Sequence, residues 1–303
     1  MTERVLDLTG GGAYLKVHNR QLLIERNDEP PCSVPLAELS ALVIAHPQVL
    51  CTQTALAGVV ESGGAVIVCG KHNRPVGLML SIDGHCTQTE RFMAQAAAKK
   101  PLKKRLWKTI VRAKVLAQAS LLQRIRGDDH GVRALASRVR SGDPSNVEAQ
   151  ASRRYWPALF DDPDFRRRRH GGGVNSLLNY GYAVLRATMG RAICAVGLHP
   201  SVGVHHHNRY NAFCLADDLM EPYRPLVDEV VLEHAAERGM DAPLDPRAKR
   251  ALLEALTGRY RLDGELRTLS DAATRTASSL AKVFLAREHS LWLPKEMDRV
   301  PPL

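Results

Sequence analysis

The sequence predicts an α+β protein: a small β-rich N-terminal domain over residues 1–82, a linker at 83–89, and a larger all-α domain over 90–303. Three observations carry this. The first 82 residues hold short aliphatic and β-branched runs bounded by turn residues, at strand length. From Thr89 onward the apolar residues take helical spacing, sustained over Glu90–Arg126. Val174–Val196 is then a strongly apolar helical stretch suited to the centre of a core.

Taken in order, Ala13–His18 and Gln21–Glu25 flank Asn19-Arg20 and read as a hairpin. Leu42–Ala45 and Ala65–Cys69 are candidate buried strands. Between them, Thr52–Glu61 reads as a short helix stopped by Ser62-Gly63-Gly64, and Pro75–Leu80 as a last strand. The Gly-rich Thr9–Gly12 has neither the Gly-x-Gly-x-x-Gly spacing nor a Gly-Lys-Ser/Thr ending, so it is read as a turn. Glu90–Arg126 is helical around one internal proline, Pro101, and 127–146 is loop and short helix. Ser145–Glu148 opens a further helix, 161–173 is a loop, and 226–292 gives helices broken near Gly239–Pro246 and Gly258–Gly264. Pro301–Leu303 reads as a flexible tail.

The balance of 42 Lys and Arg against 32 Asp and Glu leaves a net charge of +10. The excess is clustered, which suits a polyanion, most often nucleic acid. Lys99, Lys100, Lys103, Lys104, Arg105, Lys108, Arg112 and Lys114 crowd one helical segment, either a solvated face or a phosphate-binding one. Arg166, Arg167, Arg168 and Arg169 adjoin a triple glycine, a cationic arm suited to backbone contacts or simply a surface loop. Arg153 and Arg154 follow Glu148 by one to two turns, within reach of phosphates or facing solvent. The six cysteines form no Cys-x-x-Cys, which argues against a zinc ribbon or redox motif and for free thiols in a reducing cytoplasm. The N-terminus lacks a signal-peptide pattern, and no apolar run reaches the roughly 18–20 residues of a membrane span.

The chemistry concentrates in GVHHHNRYNAFCLADDLMEPYRP, residues 203–225. Three successive histidines, His205, His206 and His207, precede Asp217, Asp218 and Glu221. On a helix, Asp218 and Glu221 would share one face, about a turn apart. In an extended run, His206 would face one side, and His205 and His207 the other. Imidazole with convergent carboxylates is a mixed nitrogen/oxygen donor set suited to Mg2+ or Mn2+. A zinc site of histidines is the competing metal reading, an exposed polar loop the non-functional one. The acids also fit as helix-terminal charges, although Glu221 falls in an apolar run beside Pro222 and there calls for a partner. Glu148 is placed to project into a cleft, but Ser145-x-x-Glu148 is also a capping-box pattern, and by pattern alone the cap ranks first.

These segments carry a likeness. GVHHHNRYNAFCLADDLMEPYRPLVD, VNSLLNYGYAVLRATMGRAICAVGLHP, SNVEAQASRRYW and GAYLKVHNRQLLIERND span most of the chain, which resembles the CRISPR-associated integrase/endonuclease family of spacer acquisition, the universal "Cas one" family, in the branch found beside single-protein RNA-guided effectors. The resemblance implies a metal site of a Glu, a His and a second acid: Glu148 in Asn-Val-Glu-Ala, His206 in Gly-Val-His-His, and Glu221 in Asp-Leu-Met-Glu, with His205 and Asp218 as auxiliaries. It reverses the ranking of Glu148, since capping and metal binding are compatible. It further implies double-stranded DNA as substrate, a homodimer using the N-terminal domain, a small ferredoxin-like partner subunit, and attack by a DNA 3′-OH on a phosphodiester with Mg2+ or Mn2+. Two other readings share the basic surface: a non-catalytic DNA-binding scaffold, and a repair nuclease acting on branched DNA.

Overall fold

A computed structural model describes residues 4–27, 29–70, 75–168 and 171–300. Its N-terminal part is two four-stranded sheets. One has the order β4-β3-β2-β6, built from Glu29–Pro35, Gln21–Arg26, Ala13–His18 and Val49–Cys51. The other has the order β1-β5-β7-β8, from Arg4–Leu8, Leu39–Ile44, Ala65–Cys69 and Pro75–Met79. Asn19 and Arg20 join β2 to β3 with φ of +49° and +59°, the left-handed pair that matches the twist of a two-residue hairpin. Helix α1, Gln53–Glu61, is capped by the Thr52 side chain, which accepts from Ala55 N at 3.2 Å.

The parallel pairing of β5 with β1 and β7 explains why β5 and β7 are almost wholly apolar. Along β5, Leu39 and Leu42 enter a core shared with β2, β3 and α1, while Ala41 and Val43 enter the helical core. A strand covered on both faces does not alternate with polar residues. Long-range hydrogen bonds tie this sheet to the helices. Tyr180 donates to Asp7 Oδ2 at 2.6 Å, Lys249 Nζ donates to Thr9 Oγ1 at 3.0 Å, and the Arg191 guanidinium donates to Gly63 O.

Beyond residue 82 the chain is mostly helical: α2 Gln88–Ala96, α3 Lys100–Arg126, α4 Val132–Leu135, α5 Val147–Phe160, α6 Val174–Ala195, α7 Cys214–Leu219, α8 Arg224–Arg238, α9 Pro246–Thr257 and α10 Leu269–Phe284. The expected linker is cut short, because α2 begins at Gln88 and its Gln95 side chain bonds His199 O and Val202 O. The helical stretch expected over 90–126 is two helices, with Pro101 in the first turn of α3, where its missing N–H costs nothing. Helix α6 runs through the core and packs so closely on α8 that a Cβ at Gly181 would stand 2.4 Å from Val227 Cγ1.

The expectation of an all-α C-terminal domain is corrected. Arg259–Leu262 (β9), Glu265–Thr268 (β10) and Met297–Arg299 (β11) form an antiparallel sheet of order β10-β9-β11. The break expected at Gly258–Gly264 is a hairpin, with Asp263 and Gly264 at φ of +49° and +86°. Among the described residues no helix is long and apolar enough to cross a membrane. The expected tail at 301–303 lies outside the described residues.

Candidate active site

Helix α5 begins in an unexpected way. Ser145 does not cap it; its hydroxyl accepts from Arg140 Nη2 at 3.0 Å. Asp143 instead takes the N–H groups of Val147 and Glu148 at 2.9 and 3.0 Å, and Asn146 accepts from Ala149 N. With the orphan donors of the first turn satisfied, the Glu148 carboxylate is released from capping. It reaches α3, where Lys114 Nζ donates to Glu148 Oε1 at 2.6 Å.

Lys114 is buried, so it is not part of the exposed cationic face the sequence suggested; Lys104, Arg105, Lys108 and Arg112 are exposed and Lys103 is half-buried. Its ammonium also lies 2.6 Å from Glu221 Oε2. The two form a buried ion pair at hydrogen-bond distance. Arg224 Nε stands 2.9 Å from Glu221 Oε1. Burial alone would push the Glu221 carboxyl up, but Arg224 and Lys114 outweigh it and pull it down to about 2. Burial likewise opposes the Lys114 charge, yet Glu221 and Glu148 hold the ammonium above its ordinary value.

Asp218 and Glu221 do not share a helix face. Helix α7 ends at Leu219 and the chain tightens into a 3-10 turn over Glu221–Tyr223, at Pro222. Asp218, fully buried, serves the histidine loop: its carboxylate accepts from the backbone N–H of Val204, His205 and His206 at 2.6, 2.9 and 3.2 Å. Three successive N–H groups on one carboxylate curl the loop, which replaces the extended alternation expected for the histidines. His205 stacks flat on Trp107 with centroids 4.1 Å apart, and His206 meets the same indole edge-on at 5.7 Å, so both rings lie against one residue. His207 is exposed. The curl requires Gly203, since a Cβ there would stand 2.4 Å from His206 O.

His206 Nδ1 lies 2.6 Å from Asp218 Oδ1. The hydrogen bond to that carboxylate raises the imidazole above its ordinary value and, in the neutral ring, leaves Nε2 as the lone-pair nitrogen. Partial burial lowers His205 instead. His206, Lys114 and Glu221 line one cavity of about 740 Å3, together with Gln118, Tyr182 and Arg224. Glu148 lines a neighbouring cavity of about 650 Å3 with Arg153, and the two share Ser152, Trp156 and Arg167. A further cavity of about 1120 Å3 runs along α10 away from these groups, and several of its charges pair internally, as in Lys282–Glu288.

Among the described residues, no three His, Cys, Asp or Glu side chains are drawn together closely enough to hold an ion, and the Lys114 ammonium lies 2.6 Å from an oxygen of both Glu148 and Glu221. The donor set nevertheless suits a hard divalent cation. Two carboxylates already share one positive charge, and an oriented imidazole lines the same cavity as Glu221.

The expected DNA-contacting residues divide. Arg153, Arg154, Arg166 and Arg168 are exposed. Arg167 is not part of a free arm: it donates to Asn175 and Asn179 at 3.1 and 2.7 Å, and its guanidinium lies over Tyr182. Arg169 lies outside the described residues. Sequence reasoning missed the roles of Lys114, Arg224, Tyr182 and Asp228. Asp228 accepts from Tyr155 at 2.7 Å and from Tyr182, and Arg224 also lies over the Tyr182 ring.

Comparison with known proteins agrees on one relationship. The family model described as CRISPR associated protein Cas1 matches residues 6–255. A CRISPR-associated endonuclease Cas1 of Neisseria meningitidis is 39% identical over 259 residues, covering 84% of each chain. A casposase solved bound to an integration product superposes with a TM-score of 0.77 at 21% identity, covering 95% of this chain and 92% of that one. A Cas6-RT-Cas1–Cas2 complex contains a chain matched with a TM-score of 0.73 at 18% identity, over 95% of this chain and 35% of that one.

Proposed function

Because the chain belongs to the Cas1 family, we propose that it is a metal-dependent DNA integrase and endonuclease that joins a captured DNA 3′-OH to a phosphodiester of a repeat array, with water as the alternative nucleophile. The observation that supports this most is the meeting of Glu148 and Glu221, 73 positions apart, on one buried positive charge beside His206. Glu148, His206 and Glu221 would hold Mg2+ or Mn2+. Such an ion, when bound, polarises a scissile phosphate and stabilises a leaving 3′ oxygen.

The chain's own groups supply the rest. Asp218 fixes the His206 ring and presents its lone-pair nitrogen. Trp107 backs both histidines and keeps water from their inner faces. Arg153, Arg154, Arg166 and Arg168, with Lys103 and Lys104 on α3, bind duplex phosphates without choosing a sequence. The family reading extends to double-stranded DNA as substrate, a homodimer, and a small ferredoxin-like partner subunit.

Strand transfer into a supercoiled repeat plasmid, with Mg2+ or Mn2+, tests the site. Glu148→Gln, His206→Ala and Glu221→Gln each lower the rate by roughly 10²–10³-fold or more, while DNA affinity at fixed salt stays within about twofold, since the phosphate-binding residues lie elsewhere. Wild-type rates in all three variants would show that the reaction uses other groups. One observation favours the scaffold reading: the two glutamates already share a protein counter-ion, Lys114. The same assay separates the two, because a scaffold tolerates all three substitutions.

A further inference from the structure

We propose that Lys114 is a built-in counter-ion, which occupies the space between Glu148 and Glu221 in the metal-free protein and moves to Gln118 when a divalent ion enters. The inference rests on the proposed metal site and concerns how this chain keeps that site intact without metal.

Two carboxylates brought onto one site repel, and neither the buried Glu221 nor the partly exposed Glu148 is fully solvated. The ammonium at 2.6 Å from an oxygen of each removes that cost. It also occupies the place a cation bridging the same two carboxylates would take, so ion and ammonium exclude each other. A displaced ammonium needs a new acceptor, and the structure holds one. Gln118 follows Lys114 by one turn on α3, so their side chains lie on the same helix face. Gln118 is 3% exposed, lines the same cavity, and its Oε1 is buried without a hydrogen-bond partner. An orphaned acceptor of this kind is rare in folded proteins and marks a position waiting for a donor. A lysine has the reach and the rotatable ammonium to swing between the two seats.

Mn2+ affinity by titration calorimetry, and thermal midpoints without metal, test this on the full-length protein. Lys114→Met keeps the volume and removes the charge. It should lower the metal-free midpoint by several degrees and tighten Mn2+ binding about tenfold or more. Gln118→Leu removes the second seat; it should leave the metal-free midpoint nearly unchanged and weaken Mn2+ binding several-fold. Glu221→Gln is the control for the site itself. If Glu221→Gln abolishes Mn2+ binding while Lys114→Met binds as wild type or more weakly, the counter-ion role is wrong and the metal site stands. If Glu221→Gln binds Mn2+ as wild type, the metal-site reading fails and the counter-ion role with it. Should Lys114→Met fail to fold, the Gln118→Leu affinity decides alone, and an unchanged value overturns the proposal.

Discussion

Glu221 and Asp228 are buried carboxylates seven residues apart that line the same cavity, yet they sit in opposite electrostatic states. Glu221 faces Lys114 and Arg224, whose charges overcome burial and hold it ionised, down to about 2. Burial dominates at Asp228 and pushes it up to about 6, although Tyr182, Tyr155 and two more distant arginines oppose the shift. The difference lies in the partners. Cations close at hand repay desolvation; hydroxyl groups do so only in part. Glu221 is therefore a committed anion, suited to holding a cation. Asp228 is an acceptor that ties α5, α6 and α8 together through Tyr155 and Tyr182. A buried acid is a ligand candidate when its environment keeps it charged.

The comparison breaks most visibly at Asp228. Asp228→Ala strands two buried hydroxyl groups and should cost about 2–5 kcal/mol in denaturant unfolding, with no specific loss of Mn2+ binding in the protein that remains folded. A loss of metal binding equal to that of Glu221→Gln would erase the distinction between the two acids.

Their pH signatures sharpen it. Glu221 has a folded value below its ordinary one, so its contribution is present above about 4.5 and is lost as pH falls toward about 2. The stability gap between wild type and Glu221→Gln should be constant from pH 5 to 7 and close below pH 4.5. Asp228 has a folded value above its ordinary 3.8, so its native state holds a proton longer than the unfolded chain, and stability is lost as pH rises from about 4 through 6. Any advantage of wild type over Asp228→Asn should shrink over that interval, by on the order of 2 kcal/mol. Parallel curves for the two variants would contradict the assignment.

The smallest effect is at the surface. Replacing Arg166 and Arg168 with Ala should flatten the salt dependence of DNA affinity by about one unit of slope for each phosphate no longer neutralised, equally on unrelated duplexes. A weakening confined to one sequence would mean base reading instead.

Much of this was legible before the fold. The Asn19-Arg20 hairpin, α1 and α6 follow from turn chemistry and apolar spacing. Glu148, His206 and Glu221 stood out by motif, and the fold brings the two glutamates onto one ammonium. Lys114 was hidden because it lies in a cationic run. The signal was its phase: with Leu106, Ile110, Val111, Val115 and Gln118 it falls on the buried stripe of α3, where a lone lysine demands anionic partners. The cap of α5 was misplaced because Asp143, two residues before Ser145, competes for the same N–H groups. The C-terminal sheet was missed although Asp263-Gly264 is a strong hairpin dipeptide, because the short runs around it sit between two amphipathic helices.

The central claim is that Glu148, His206 and Glu221 close on one divalent ion. A crystal of the protein soaked in Mn2+, read by anomalous difference density, tests it most directly. One peak is expected, bonded to a carboxylate oxygen of Glu148, to Nε2 of His206 and to a carboxylate oxygen of Glu221, with the Lys114 ammonium withdrawn. Ordered Mn2+ bound elsewhere, with the ammonium still bridging the two glutamates, would contradict it.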